Sequence, residues 1–167
     1  LFNKSLEYIF SSKLFSSSII TQLQQFSHLK SVTVDLIIDS NLLFKSYATG
    51  SLHWLHSLVL FGVSSVDHLP TIEQCPNLQS FDTTLFQSSK SIAARIASYT
   101  SLTDFTFRCP HISSSFIKAM ISSLSNLTKL DLKSERLNEN IIYILPASTP
   151  KLTSLHLSSA PPLTEKG

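Results

Sequence analysis

One apolar pattern, a leucine followed by apolar residues three and five positions later, recurs along this chain at nearly constant spacing. Its six copies begin at Leu29, Leu55, Leu78, Leu102, Leu127 and Leu152, which lie 26, 23, 24, 25 and 25 residues apart. The third copy is imperfect because Thr83 takes its last apolar position. Such a period is typical of folds that stack one strand-containing unit repeatedly, so each copy predicts one strand.

A degraded seventh copy precedes these six. Leu6 and Ile9 occupy its first two apolar positions, with Leu6 placed 23 residues before Leu29, and Ser11 replaces the third. We therefore expect a further strand there, with Ile9 aligned with Val32.

The segments between the copies carry the spacing of amphipathic helices. Ile117, Met120, Ile121 and Leu124 form a stripe at i, i+3, i+4 and i+7, preceded by serines suited to a helix N-cap. Three weaker stripes are Ile92, Ile96 and Tyr99; Ile19, Leu23 and Phe26; and Leu43 and Tyr47. A strand, a crossover helix and another strand in succession predict a parallel sheet with right-handed connections.

Two connecting segments contain prolines. Residues 68–76 are too short and too closely bounded by Pro70 and Pro76 for much α-helix, so we expect a 3-10 turn there. Ile141, Ile142 and Leu145 predict about one helical turn, which Pro146 is expected to stop.

These copies resemble leucine-rich repeats, and the resemblance covers nearly the whole chain. The segment Cys75-Pro76-Asn77-Leu78 is similar to the cysteine-containing subtype of that family, which is common in F-box proteins. The resemblance implies an α/β solenoid shaped like a horseshoe, with parallel strands on the concave face and helices or 3-10 turns on the convex face. We expect residues 1–167 to form one such solenoid of six to seven repeats. Because no polar capping repeat is evident at either end, we also expect a fragment of a longer protein.

The turns that follow the strands depart from the pattern of the family. The polar residue usual three positions after the last strand leucine is replaced by Ile37, Val63, Phe86, Pro110, Glu135 and Ala160. Backbone groups in these turns must therefore find other hydrogen-bond partners.

The residues between the strand leucines point away from the core and form rows across neighbouring strands. The candidate partner-binding residues on these rows are Val59, Phe61, Asp82, Asp104, Arg108, Lys129, Asp131, Lys133 and His156. Val59 and Phe61 offer apolar anchors, unless another segment covers them.

Arg108 and Lys133 are expected to be direct neighbours, with Asp131 as the acidic group that offsets them. A partner with acidic side chains is one hypothesis for this pair, and a solvated charged face is the other.

Composition excludes several classes of function. Thirteen basic and eleven acidic residues give a formal charge of +2, without the concentrated basicity of a dedicated nucleic-acid binder. No apolar run approaches the roughly 20 residues that cross a bilayer, so no membrane contact is expected. Cys75 and Cys109 are interpreted as reduced thiols. His53 and His56 lack further ligands for a metal, and we find no catalytic or cofactor motif.

The sequence thus predicts a non-enzymatic protein-protein interaction module that binds another protein through its concave face, in the cytoplasm or nucleus. Resemblance to F-box repeat proteins implies substrate recognition for a ubiquitin ligase. The alternatives are a regulator of a GTPase and an extracellular recognition domain, which the sequons at Asn3 and Asn126 would suit.

Overall fold

A computed structural model describes residues 9–11, 31–35, 52–135, 137 and 140–159. Within them, seven strands form one parallel sheet in which each strand pairs with the next along the chain. The strands are β1 (Ile9–Ser11), β2 (Ser31–Asp35), β3 (Ser57–Val63), β4 (Ser80–Leu85), β5 (Asp104–Arg108), β6 (Lys129–Ser134) and β7 (Ser154–Ser159). The connections contain a 3-10 helix (Val66–His68) and the helices α1 (Lys90–Ala97), α2 (Ser114–Ile121) and α3 (Asn140–Ser148). The predicted α/β class with a parallel sheet is confirmed.

The register of the sheet follows the spacing of the apolar pattern from β2 to β7. Leu58 pairs with Phe81, Phe81 with Phe105, Phe105 with Leu130 and Leu130 with Leu155. Since side chains alternate along a strand, the outward positions between them also align. The row that begins at Ser31 continues through Ser57, Ser80, Asp104, Lys129 and Ser154, as the sequence predicts.

A bulge in β3 breaks one of the predicted rows. Leu60 stands opposite Thr83 but Val63 stands opposite Leu85, so Phe61 and Gly62 together face the single residue Thr84. Gly62 has a φ of 80°, in the region that glycine reaches without a clash at Cβ. The outward residues of one row were predicted to align in the order Asp35, Phe61, Thr84, Arg108, Lys133 and Ser158. Phe61 does not align directly with Thr84, so that prediction is wrong at this point.

The predicted first strand is present, but its register differs by one residue. The sequence aligns Ile9 with Val32, whereas the structure pairs Ile9 with Thr33 and Ser11 with Asp35. The degraded copy has only two apolar positions, which is too little pattern to determine a strand register.

The two clearest helical predictions are confirmed. Ser89 and Ser113 cap α1 and α2, and each hydroxyl accepts a hydrogen bond 3.2 Å long from the backbone N–H three residues on. The stripe residues of both helices are buried in the same core as the strand leucines. The predicted stripes at residues 19–26 and 43–47 lie outside the described residues.

Two predictions about proline are corrected. Pro146 lies inside α3, which continues to Ser148 although proline supplies no backbone N–H at that position. Thr149 completes that end, since its N–H and its hydroxyl both donate to the carbonyl of Leu145, at 2.8 and 2.9 Å. The 3-10 helix is Val66–His68, just ahead of the segment predicted to hold it, and residues 72–77 form turns instead.

Aromatic rings line the middle of the core. Phe81 and Phe105, which are register partners, stack with ring centroids 5.9 Å apart, and Tyr99 meets Phe81 edge to face at 5.7 Å. Phe107 and Phe116 join the sheet to α2 with centroids 5.9 Å apart. The hydroxyl of Tyr99 is fully buried and donates to the carbonyl of Pro70 at 2.6 Å, so its polar end is satisfied.

Burial decreases at the β7 end of the sheet. Leu130 is 2% exposed, whereas its register partner Leu155 is 43% exposed. β7 is the last strand within the described residues, so Leu155 has a neighbouring strand on one side there.

Side chains on the loops that enter the strands supply hydrogen bonds which the sequence did not lead us to expect. Thr103, Thr128 and Thr153 each donate from the hydroxyl to the carbonyl of the equivalent residue one unit earlier, over 3.0–3.2 Å. Asn77 and Asn126 donate in the same sense to the carbonyls of His53 and Thr100. These ladders tie each unit to its predecessor.

The turns after the strands use different partners. Gln87 donates to the carbonyl of Ser64 at 2.8 Å, and the hydroxyl of Ser134 donates to the carbonyl of Pro110 at 3.1 Å. The backbone N–H of Phe86 donates to Val63. The polar residue missing from these turns is therefore replaced by contacts between units.

Truncation of an inward residue should cost much more stability than truncation of its outward neighbour. Leu130→Ala removes a buried side chain and leaves a cavity, and should lower the free energy of unfolding by about 2–5 kcal/mol. Lys129→Ala removes an exposed ion pair with Asp104 and should cost less than about 1 kcal/mol. Urea denaturation followed by circular dichroism measures both, and equal costs would contradict the assignment of the two faces.

Thr83 should be replaceable with a gain in stability. Its side chain is fully buried among apolar residues, and its hydroxyl has no hydrogen-bond partner in the part of the chain that the structure describes. Thr83→Val keeps the shape and removes the unsatisfied group, so the free energy of unfolding should rise by about 1 kcal/mol. Thr106→Val, on the outward side of the adjacent strand, is the matched control and should change little. A loss of stability in Thr83→Val would show that the hydroxyl is satisfied.

Candidate functional site

All nine candidate residues lie on strands β3 to β7 and on the outward side of the sheet, opposite the core. We call this surface, formed by the outward side chains of residues 57–61, 80–84, 104–108, 129–133 and 154–158, the outward face. The helices of the described residues pack on the other side, since their apolar stripes share one core with the inward strand residues.

Arg108 is joined to Asp82 across the sheet. Its Nη1 atom donates to Asp82 Oδ1 at 2.5 Å, and both side chains are about two-thirds shielded from solvent. Asp82 pairs directly with Thr106, so this contact runs diagonally between β4 and β5. The sequence suggested Asp131 as the acidic group that offsets the Arg108–Lys133 pair. The carboxylate that contacts Arg108 is instead Asp82, and Asp131 contacts His156 on β7.

Two further acid–base contacts connect direct register partners, and the one made by His156 is an ion pair when its imidazole is protonated. Lys129 Nζ lies 3.0 Å from Asp104 Oδ1, and His156 Nδ1 lies 3.2 Å from Asp131 Oδ1. The Asp131 oxygen is shielded from solvent and makes no hydrogen bond within the described residues, so the nearby imidazole is its available source of compensation.

In each of the three pairs the acid stands on the earlier strand and the base on the next. Six of the nine candidate residues are thereby engaged with one another, which the sequence did not reveal because it gives positions and not side-chain directions. Lys133 is different. It is the register partner of Arg108, as predicted, and forms no ion pair with any residue that the structure describes.

The apolar part of the outward face lies on β3. Val59 and Phe61 are only partly buried, in agreement with the predicted exposure of apolar surface. Phe86 was not among the candidates, yet it is 59% exposed and its N–H bonds the carbonyl of Val63 at the end of β3. Outward side chains alternate along β4 through Asp82 and Thr84. The same alternation continued by two residues would have predicted that Phe86 also faces outward.

A cleft lies at the carboxyl ends of the strands. It has a volume of about 260 Å³ and is lined by Thr84, Arg108, Cys109, Pro110, Lys133, Ser134, Glu135 and Ser158. We call it the carboxyl-end cleft. Two cationic candidates therefore meet in one concavity, whereas Val59 and Phe61 do not line it.

A larger groove of about 710 Å³ lies between α1 and α2, on the opposite side of the sheet. Alanines and serines predominate among its lining residues, with Lys90 as the charged one. The groove offers no convergent set of polar groups for a particular ligand.

Nothing in the described part of the chain assembles a metal centre. No group of three or more metal-ligating side chains occurs there. His56 points Nδ1 to the carbonyl of Trp54, at 2.7 Å. Separately, no helix within the described ranges is long and apolar enough to span a bilayer.

Both cysteines are free thiols buried in the core. Burial raises the pKa of Cys75 from 9.0 to about 12 and also raises the pKa of Cys109, against which a hydrogen bond to the backbone at His111 acts. Thiolate is the reactive form, so these side chains are packed as small apolar groups rather than as nucleophiles.

Comparison of the chain with protein-family models, with curated protein sequences and with solved structures finds no match.

Native protein should resist thiol labelling, and its stability should fall at high pH. At pH 8 a disulfide reagent should label the thiols slowly, and both should react on addition of guanidinium chloride. A raised pKa in the folded state stabilises it below the unfolded pKa, so the contribution of Cys75 is complete below pH 9 and is lost as pH rises towards 12. The free energy of unfolding of the Cys75→Ala variant should fall less steeply than that of the native protein between pH 9 and pH 12. Rapid labelling of native protein would contradict the burial of both thiols.

Proposed function

We propose that this chain is a leucine-rich repeat solenoid of the cysteine-containing, F-box-associated kind, and that it acts as a non-enzymatic protein-binding module. Support for the repeat assignment comes from six copies of one apolar pattern, each of which coincides with one strand of a sheet whose strands follow chain order. Ladders of hydrogen bonds between equivalent residues of successive units support the same assignment.

One observation carries the proposed mode of binding. The outward face of five successive strands is not covered by the described helices, and it combines apolar Val59 and Phe61 with a field of paired charges. Apolar and aromatic anchors within a polar surround are the usual composition of a protein-protein interface. The ion pairs hold the polar side chains in defined positions before a partner arrives, which reduces the entropy lost on binding.

The resemblance to F-box repeat proteins suggests a specific use, the capture of substrates for a ubiquitin ligase. In such an arrangement the outward face would bind the substrate, and a separate segment of the full-length protein would bind the ligase. Copurification of the full-length protein with a ligase adaptor subunit tests this use independently of the binding face.

Photo-crosslinking should locate the binding surface. A benzoylphenylalanine placed at Val59 should yield crosslinks to a bound protein in cell extract, because this position is central to the apolar part of the outward face. The same group at Lys118, which is exposed on α2 on the opposite side of the sheet, is the matched control. Mass spectrometry of the adducts identifies the partner.

The outcome at Lys118 decides between surfaces. Crosslinks from Val59 and none from Lys118 support binding through the outward face. Equal yields at both positions, or crosslinks from Lys118 alone, would overturn the proposal.

A further inference from the structure

Four hydrogen-bond donors stand side by side in the carboxyl-end cleft. Thr84, Arg108, Lys133 and Ser158 are successive register partners on β4 to β7, so adjacent members are about 4.8 Å apart across the sheet. The two cations occupy the centre of this row and a hydroxyl stands at each end. All four side chains line the same cleft.

The two cations differ in what they already contact. Arg108 donates one Nη to Asp82, which fixes the guanidinium and leaves donors on its other nitrogens. Lys133 has no acidic partner within the described ranges. Asp82 offsets Arg108, and Glu135 lines the cleft without an ion pair to Arg108 or Lys133 among the described residues. Like charges at register positions repel each other unless an anion lies nearby.

The size of the cleft limits what it can hold. Its volume of about 260 Å³ falls below the roughly 300 Å³ at which pockets for drug-sized ligands begin. A side chain that projects from a peptide fits that space better than a free cofactor. Cys109 and Pro110 add an apolar wall, against which the methylene groups of an acidic side chain can pack.

One acidic residue also lines the cleft. The side chain of Glu135 is 53% exposed, and its carboxylate lies 3.9 Å from His111 Nδ1. Glu135 would repel an incoming carboxylate. Removal of its charge should therefore strengthen binding, whereas removal of the Lys133 charge should weaken it.

We propose that the carboxyl-end cleft binds an aspartate or glutamate side chain of an acidic peptide segment, with the carboxylate held between Arg108 and Lys133. Charge complementarity supports this occupant, because Arg108 and Lys133 are adjacent cationic donors that line one cleft, and a carboxylate can accept hydrogen bonds from both. The inference rests on the proposed protein-binding function and gives the chemistry of the partner.

Peptide selection followed by fluorescence anisotropy tests the inference. Short random peptides displayed on phage are selected on immobilised protein, and an enriched peptide is then synthesised with fluorescein in glutamate, glutamine and phosphoserine versions. The glutamate version should bind about tenfold more tightly than the glutamine version, with affinity that falls as salt concentration rises.

Charge variants assign the binding to the cleft. Lys133→Glu should lower the affinity for the glutamate peptide by roughly tenfold, and Lys133→Ala should lower it as well. Glu135→Gln should raise that affinity. Lys118→Glu makes the same charge change on the exposed surface of α2 and should leave affinity unchanged. Circular dichroism confirms that each variant is folded.

Three results would overturn the inference, namely selection without enrichment of acidic residues, equal weakening by Lys133→Glu and Lys118→Glu, or binding of the phosphoserine version alone. If Val59 still crosslinks a partner and Lys133→Glu does not affect that yield, the inference fails while the proposed function stands. If neither crosslinks nor peptide binding were observed, both the inference and the proposed function would fail.

Discussion

The parallel pairing of each strand with its successor is the interaction on which the rest of this structure depends. A strand with one apolar face cannot bury that face alone. Neighbouring strands align their inward residues and so bury them, namely Leu58, Phe81, Phe105 and Leu130. The alignment is maintained by backbone ladders and by Thr103, Thr128 and Thr153, whose hydroxyls bind the preceding unit. The half-exposed Leu155 marks where the described neighbours end.

The same alignment organises the charges of the outward face. Because outward positions of adjacent strands lie close together, Asp104 meets Lys129 and Asp131 meets His156, while Asp82 reaches Arg108 diagonally. These contacts make most of the face electrically balanced. Lys133 is the exception among the candidate residues, and it stands in the cleft where the strands end. Among the candidate residues, the cation without an ion pair thus lies at the carboxyl ends of the strands, and the apolar side chains lie on β3.

Much of the fold could be predicted from one sequence because the apolar spacing determines both the strands and their register. The helices α1 and α2 were also predictable, since Ser89 and Ser113 and the stripes behind them indicate a start and a buried side. The prediction that Pro146 stops the helix is wrong, and contacts made by Thr149, whose N–H and hydroxyl both donate to the carbonyl of Leu145, complete the end of α3. The bulge at Gly62 and the partner of Arg108 were missed for a common reason. Both depend on how two neighbouring strands pack against each other, and the spacing of residues along the chain does not specify that packing.

The bulge in β3 has a consequence for any extended ligand that crosses the strands at their carboxyl ends. From Ser158 through Lys133 and Arg108 to Thr84 the contacts advance one strand at a time along a straight line. Beyond Thr84 the line meets two residues where one is expected, and Phe61 is offset from it. The contacts of a rigid, uniformly extended chain would fall out of register with β3 there. If the proposed ligand engaged both the cations and Phe61, its contacts would have to shift between Thr84 and Phe61, because Gly62 adds one residue to β3 at that point.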